Sequence, residues 1–176
     1  KKRIGVIFGL KKEMDLFFVN ENNIFFDYGY GKSSKLTAHK LIEKNVDIVF
    51  NFGFAGSISN KIKNGDIVLI DKIYNLKKRK DACDALPDFF LKKLQRFRFI
   101  KSNLLTVNKI ITEKKEKLQL SNKYEQVSVI DMEGYFIMKE LLKKKIPFVS
   151  LKVIFDDLSF DIPSYLSNCV NEKGDL

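Results

Sequence analysis

The sequence predicts a layered α/β domain with a largely parallel sheet. Three observations carry this. Short apolar β-type runs alternate along the chain with segments of helical periodicity. Several of those runs end in glycine-bearing stretches, as strands do when they feed a turn. The chain has 176 residues, 45% hydrophobic and 31% charged, which suits one domain with its own core, residues 1–176, and argues against wholesale disorder.

The elements follow in order. Ile4–Phe8 is a short continuous apolar run ending at Gly9, the pattern of a strand buried on both faces. Ile24–Tyr28 is a second strand, stopped by Gly29-Tyr30-Gly31. Ser33 or Ser34 is placed to cap a helix running to about Asn45, with Leu36, Leu41 and Ile42 inward. Val46–Phe50 is a strand leading into a predicted turn, Asn51-Phe52-Gly53-Phe54-Ala55-Gly56. Asn64-Gly65 turns the chain into a strand at Ile67–Ile70. Pro87 opens a predicted helix with Phe90, Leu94 and Phe97 on one face. Lys114–Leu120 reads as a short charged helix, Val127–Ile130 as a strand, and Glu133–Lys145 as a helix with Ile137, Leu141 and Leu142 inward. Phe148–Phe155 is the last strong strand.

Composition narrows the function. Lys plus Arg is 32 and Asp plus Glu is 22, a net charge of +10, yet only 4 of the basic residues are Arg. Readers of nucleic acid favour the arginine fork, so a lysine excess speaks against them. Residues 72–101 nonetheless concentrate ten basic residues against three acids. That stretch keeps a nucleic-acid binder as an alternative. Two cysteines, Cys83 and Cys169, make neither a disulfide framework nor a four-ligand zinc site, and no apolar run approaches the roughly 20 residues a bilayer needs. A cytoplasmic protein without metal is expected.

In parallel sheets ligands bind beyond the carboxyl ends of the strands. Here those ends bring Gly9 to Glu13, Gly29 to Lys32, Gly53 to Gly56, Asp131 to Glu133, and Asp156 with Asp157. The single histidine, His39, falls inside the first long helix and reads as a half-exposed helix residue, which removes Ser-His-Asp and Cys-His machinery. Gly29-x-Gly31-Lys32 lacks the spacing of a P-loop and the third glycine of a dinucleotide fingerprint.

The ordered set Ile4-Gly5-Val6-Ile7 with Glu13, Gly29-Tyr30-Gly31-Lys32, Asn51 to Gly56, Gly65-Asp66-Ile67-Val68, Val129-Ile130-Asp131-Met132-Glu133 and Ile154-Phe155-Asp156 resembles the nucleoside phosphorylase/nucleosidase superfamily. Within it the chain is most similar to methylthioadenosine/S-adenosylhomocysteine nucleosidases and to hopanoid-associated phosphorylases. The resemblance implies a three-layer α/β/α fold around a mixed, mostly parallel, twisted sheet. It implies cleavage of the N-glycosidic bond of a purine (adenine) nucleoside and, commonly, a homodimer.

By the same resemblance Asp156 is the general acid to the base, Glu13 orients the attacking water, and Glu133 holds the ribose hydroxyls beside Met132. Phe54, Ala55, Gly56 and Lys152 fall at substrate-binding positions, with Phe54 standing where the family has a small residue and Lys152 where the nucleosidases have Arg. The chemistry suits these types: breaking C1′–N9 builds positive charge on the sugar and negative charge on the purine, so a carboxylate and an acid each have a task. Glu13 would repel phosphate, which favours hydrolysis, and no cofactor is implied. Phosphate stays open as a co-substrate through Lys11, Lys12 and Lys32. The alternatives are phosphorolysis of an adenosyl-lipid nucleoside, which would involve a membrane surface only through its substrate, and a non-catalytic nucleoside binder.

Overall fold

The structure is a computed structural model, and it describes residues 1–17, 21–76, 78–84 (backbone path only), 97–163, and beyond those 165, 169, 171, 174 and 175. The strands are β1 (Ile4–Phe8), β2 (Ile24–Tyr28), β3 (Ile48–Ser57), β4 (Ile67–Asn75), β5 (Lys78–Asp84), β6 (Ile100–Thr106), β7 (Val129–Asp131) and β8 (Phe148–Asp156). The helices are α1 (Lys11–Asp15), α2 (Ser34–Glu43), α3 (Lys114–Lys123) and α4 (Gly134–Lys143), with a 3₁₀ turn at Gly31–Ser33 ahead of α2.

Among the described residues, eight strands join one mixed sheet in the order β2-β1-β3-β7-β6-β4-β5, with β8 bridging β3 and β4. Five pairings are parallel (β1–β2, β1–β3, β3–β8, β4–β6, β6–β7) and three antiparallel (β3–β7, β4–β5, β4–β8). Because β3 pairs both β7 and β8, the path β3–β8–β4–β6–β7 closes on itself. A twisted sheet curls in this way when its long strands serve two neighbours. The main core lies between the sheet and α2 with α4, around Ile7, Leu41, Val49, Ile70, Leu104 and Ile137. A second cluster, with Ile58, Leu105, Ile111 and Ile130, packs beside Leu120 and Tyr124 of α3 and its C-terminal end. Among the described residues no helix is long and apolar enough to cross a membrane.

Several sequence expectations change. Asn51–Gly56 is not a turn: β3 runs straight through it. Its glycines mark close approach rather than reversal, because a Cβ on Gly53 would lie 3.0 Å from Glu13 Oε1 and one on Gly56 3.2 Å from both oxygens of Asp156. Leu36 is 58% exposed; α2 begins at Ser34, so its inward stripe is Ser34, Thr37, Ala38 and Leu41. Leu142 is exposed for the same reason of phase, and Met138 takes its place inside α4. Ser33 and Ser34 do not cap α2 in the usual sense, since their hydroxyls donate back to the carbonyls of Tyr30 and Gly31. β6 (Ile100–Thr106) is a strand that the sequence reading above does not single out. The helix predicted from Pro87 and much of the basic stretch lie outside the described residues; Lys72, Arg98 and Lys101, which are described, are exposed.

Candidate active site

The carboxyl ends of β1, β3, β7 and β8 open into one cavity of about 340 Å³, within the range of small-molecule sites. Glu13, Glu133, Asp156, Met132, Phe54, Ala55, Gly56 and Lys152 all line it. Most of the remaining wall is apolar, including Val107, Ile110, Ile111 and Phe155.

Glu13 is carried by α1, a single turn that the sequence reading missed because five residues give no periodicity. Its side chain folds back inward and is buried. Oε2 accepts the Leu10 N–H at 2.8 Å and Oε1 accepts the Phe54 N–H at 2.7 Å. The carboxylate therefore bridges the ends of β1 and β3, and its orientation is fixed by backbone donors.

Glu133 lies just after β7, on the residue before α4. Oε1 accepts the Gly31 N–H at 2.8 Å, and the Met132 N–H reaches Oε2 at 3.3 Å. Gly31 has φ +53°, a left-handed conformation that glycine adopts without penalty, and this conformation goes with the N–H–carboxylate contact. Burial, and then the nearby charge of Asp131, push the Glu133 carboxyl up to about 7; the Lys152 ammonium and the Gly31 N–H oppose them.

Asp131 and Lys152 form a fully buried ion pair at 2.9 Å under the cavity floor. Thr106 Oγ1 donates to Asp131 Oδ1 at 2.8 Å and the Gly134 N–H donates to Oδ2 at 2.9 Å. Burial acts to lower the Lys152 pKa, but Asp131, Glu133 and Glu13 outweigh it and raise it. Lys152 is thus a permanent cation beneath the acidic wall. The sequence reading placed Asp131 at a strand end without a role, and did not single out Thr106.

Asp156 is the last residue of β8. A register shift between Ala55 and Gly56 sets Gly56 opposite Asp156, and the missing Cβ leaves room for its carboxylate. Lys117 of α3, with no exposed surface, ion-pairs with Asp156 Oδ2. Burial raises the Asp156 carboxyl above its ordinary value, against the hydrogen bond and charge of Lys117; the Asp157 charge adds to the rise. The neighbouring Asp157 has the opposite setting. The Ser159 hydroxyl, the Ser159 N–H (2.7 Å) and the Asn64 N–H (3.1 Å) donate to it and hold its carboxyl down at about 2. Two adjacent aspartates are thereby set apart, burial pushing the Asp156 carboxyl up and three donors holding the Asp157 carboxyl down. Lys117 reads in sequence as one more charged helix residue; the missed signal is its spacing from Leu120 and Tyr124, which places it on the packed face of α3.

Phe54 and Phe155 are 45% and 49% exposed and meet at the cavity mouth, with ring centroids 5.5 Å apart. Asn51 is buried within β3, where its amide donates to the Ile7 carbonyl. Lys11, Lys12 and Lys32 are exposed and do not line the cavity. His39 is on the outer face of α2, in contact with Glu140 of α4. Among the described residues no group of His, Cys, Asp and Glu is arranged to hold a metal ion.

Residues 28–163 match the phosphorylase superfamily. Solved structures of similar fold include the native futalosine hydrolase of Helicobacter pylori (TM-score 0.79, 20% identity, covering 94% of this chain and 88% of that one). Another is the 5′-methylthioadenosine/S-adenosylhomocysteine nucleosidase of Campylobacter jejuni (TM-score 0.74, 14% identity, 90% and 87%). A third is the corresponding nucleosidase of Colwellia psychrerythraea in complex with adenine (TM-score 0.75, 18% identity, 88% and 82%). Curated protein sequences gave no significant match.

Proposed function

The chain belongs to the phosphorylase superfamily, and from that premise we propose that it hydrolyses the N-glycosidic bond of a purine nucleoside. One observation carries this reading: three buried carboxyl groups, Glu13, Glu133 and Asp156, face one largely apolar cavity of nucleoside scale.

The roles follow from their surroundings. Asp156, whose carboxyl holds its proton above the ordinary range, gives that proton to a purine ring nitrogen. The C1′–N9 bond breaks and its electron pair leaves with the base. Water, oriented by Glu13, bonds to C1′ and passes a proton to the Glu13 carboxylate. Solvent then returns both groups to their starting states. Glu133, in its ionised form, accepts hydrogen bonds from the ribose hydroxyls and opposes the positive charge growing on the sugar. Met132, Ala55 and Gly56 give the sugar and base an apolar and close-fitting wall, and Phe54 with Phe155 borders the nucleoside where it enters. Lys152 acts from below, keeping the acidic wall from being uniformly repulsive.

Water is favoured over phosphate as the nucleophile. The carboxylates Glu13 and Glu133 line the cavity and would repel a phosphate, and Lys11, Lys12 and Lys32 lie outside it.

The test is release of free base from purine nucleosides: adenosine, methylthioadenosine and a bulky 5′-alkyl analogue, each with and without phosphate. Release without phosphate is expected. Release that requires phosphate would replace hydrolysis by phosphorolysis. No release under either condition would overturn the catalytic reading in favour of a nucleoside binder.

A further inference from the structure

A buried lysine needs a reason. Lys117 is on α3, a helix outside the strand ends that supply the cavity's carboxylates. Its ammonium has no solvent exposure; it ion-pairs with the Asp156 carboxylate and donates to the Asp157 carbonyl at 3.0 Å and the Phe160 carbonyl at 3.3 Å. The ammonium thus donates to two backbone carbonyls, and the remaining contact is the ion pair with Asp156 Oδ2, a buried oxygen without a hydrogen-bond partner among the described residues.

The same region of α3 holds the loop after β8 by two further bonds. The Lys114 N–H donates to Asp161 Oδ1 at 2.6 Å, and the Ile162 N–H donates to the Thr112 carbonyl at 3.0 Å. Those bonds alone would fasten the loop. Fastening it does not require a buried ammonium, which is costly to desolvate. What the ammonium adds is a positive charge on one oxygen of Asp156, at the atom pair that would carry negative charge after proton transfer.

We infer that Lys117 is a positioning residue for Asp156, fixing the carboxyl group against the end of α3 and stabilising the carboxylate left when the proton departs with the base. This rests on the hydrolytic reading above. It assigns a role to a residue that does not line the cavity. The groups facing Asp156 are Lys117 from α3, Asp157 beside it in the chain, and Lys109 and Cys169 on the cavity wall. Across the cavity stand Glu13, Glu133 and the Asp131–Lys152 pair. Lys117 is the cation in contact with Asp156.

The sign of the effect is fixed. An adjacent ammonium favours the ionised carboxylate, so it lowers the pH at which Asp156 loses its proton. Removing it raises that pH. Lys117→Met should therefore move the alkaline limb of the kcat/KM profile upward by about one unit or more, and lower kcat by about tenfold or more. Lys117→Arg keeps the charge and should keep the limb near its wild-type position, with a smaller loss of rate. The profiles of wild type, Lys117→Met and Lys117→Arg would be measured on a nucleoside that the wild type cleaves, with melting temperatures alongside. A folded Lys117→Met protein with the wild-type limb overturns the inference and leaves the hydrolytic reading standing. If Lys117→Met does not fold, Lys117→Gln, measured in the same way, decides: a limb moved upward supports the inference, and a limb at the wild-type position overturns it. A wild-type protein that cleaves no nucleoside overturns both.

Discussion

The carboxylates of Glu13 and Glu133 meet at Gly9. A Cβ built on Gly9 would lie 3.4 Å from Glu13 Oε2 and 3.4 Å from the Glu133 carboxylate. Two acids from distant parts of the chain are thus brought against one glycine at the end of β1, with Lys152 as the neighbouring buried cation. Each is oriented by backbone N–H groups, so the pair is built before any ligand arrives.

Gly9→Ala tests the space between them. Gly9 is buried, but contacts at 3.4 Å are ordinary and Gly9 is not in the left-handed region, so the protein should fold with its melting temperature within about 2 °C of wild type. The methyl group would intrude on the space between Glu13 and Glu133 that the proposed mechanism assigns to the water. Base release should fall about tenfold or more. An alanine variant with the wild-type rate would show that the nucleophile approaches elsewhere.

Glu133 links activity to pH. Its carboxyl is pushed up to about 7, so the ionised form that the proposed mechanism sets against the ribose hydroxyls accumulates as pH rises through neutrality. The kcat/KM should climb along an acid limb centred near 7, and Glu133→Gln should remove that limb together with most of the activity. Stability runs the other way. The folded state binds this proton more tightly than the unfolded chain does, so its stabilising effect is full below about 4.5 and is lost as pH rises through about 7. Glu133→Gln should therefore raise stability at pH 8 by about 1–3 kcal/mol relative to the wild type, and by less at pH 5. Equal melting shifts at both pH values would refute the assignment.

Much of this arrangement is legible in the amino-acid sequence. The continuous apolar runs of β1 and β8 marked buried strands, and acids just beyond strand ends marked a site edge. What was illegible depended on tertiary contact. β5 is a charged edge strand, KRKDACD, without an apolar face to betray it. Gly53 and Gly56 read locally as turn residues, whereas their reason is space for the carboxylates of Glu13 and Asp156. Lys117 and Lys152 look like the other lysines of a lysine-rich chain; only the partner carboxylates, which lie far off in sequence, distinguish them.

Asp156→Asn removes the acid and keeps the shape. An amide cannot supply the proton, so base release should fall by about 10²–10⁴-fold. Lys117 retains the Asp157 and Phe160 carbonyls and gains the Asn carbonyl as a neutral acceptor, so the fold should persist with a loss of about 1–3 kcal/mol. Steady-state rates and thermal melting on the same preparation separate the two effects. Turnover within about threefold of wild type would remove Asp156 from the acid role, since general acids contribute far more than that.

Lys152 is the residue whose loss should damage the fold most. Its ammonium is buried, pairs with Asp131 at 2.9 Å, and offsets Glu133 and Glu13 from beneath. Lys152→Met leaves these carboxylates in a dry environment without their cation. Breaking a buried pair by removing one partner costs about 3–5 kcal/mol. For a domain of this size that corresponds to a fall in melting temperature of about 6–20 °C at pH 7. The loss should shrink at pH 5, because the orphaned carboxyl groups can then take up protons and shed their charge. Lys152→Arg restores the charge and should recover most of the stability if the cavity floor accepts the larger head. Thermal melts of the three proteins at pH 5 and pH 7 provide the check. A Lys152→Met protein that melts within 2 °C of wild type at pH 7 would mean that the acidic wall is already neutralised by protons, and that Glu133 in particular enters the reaction uncharged.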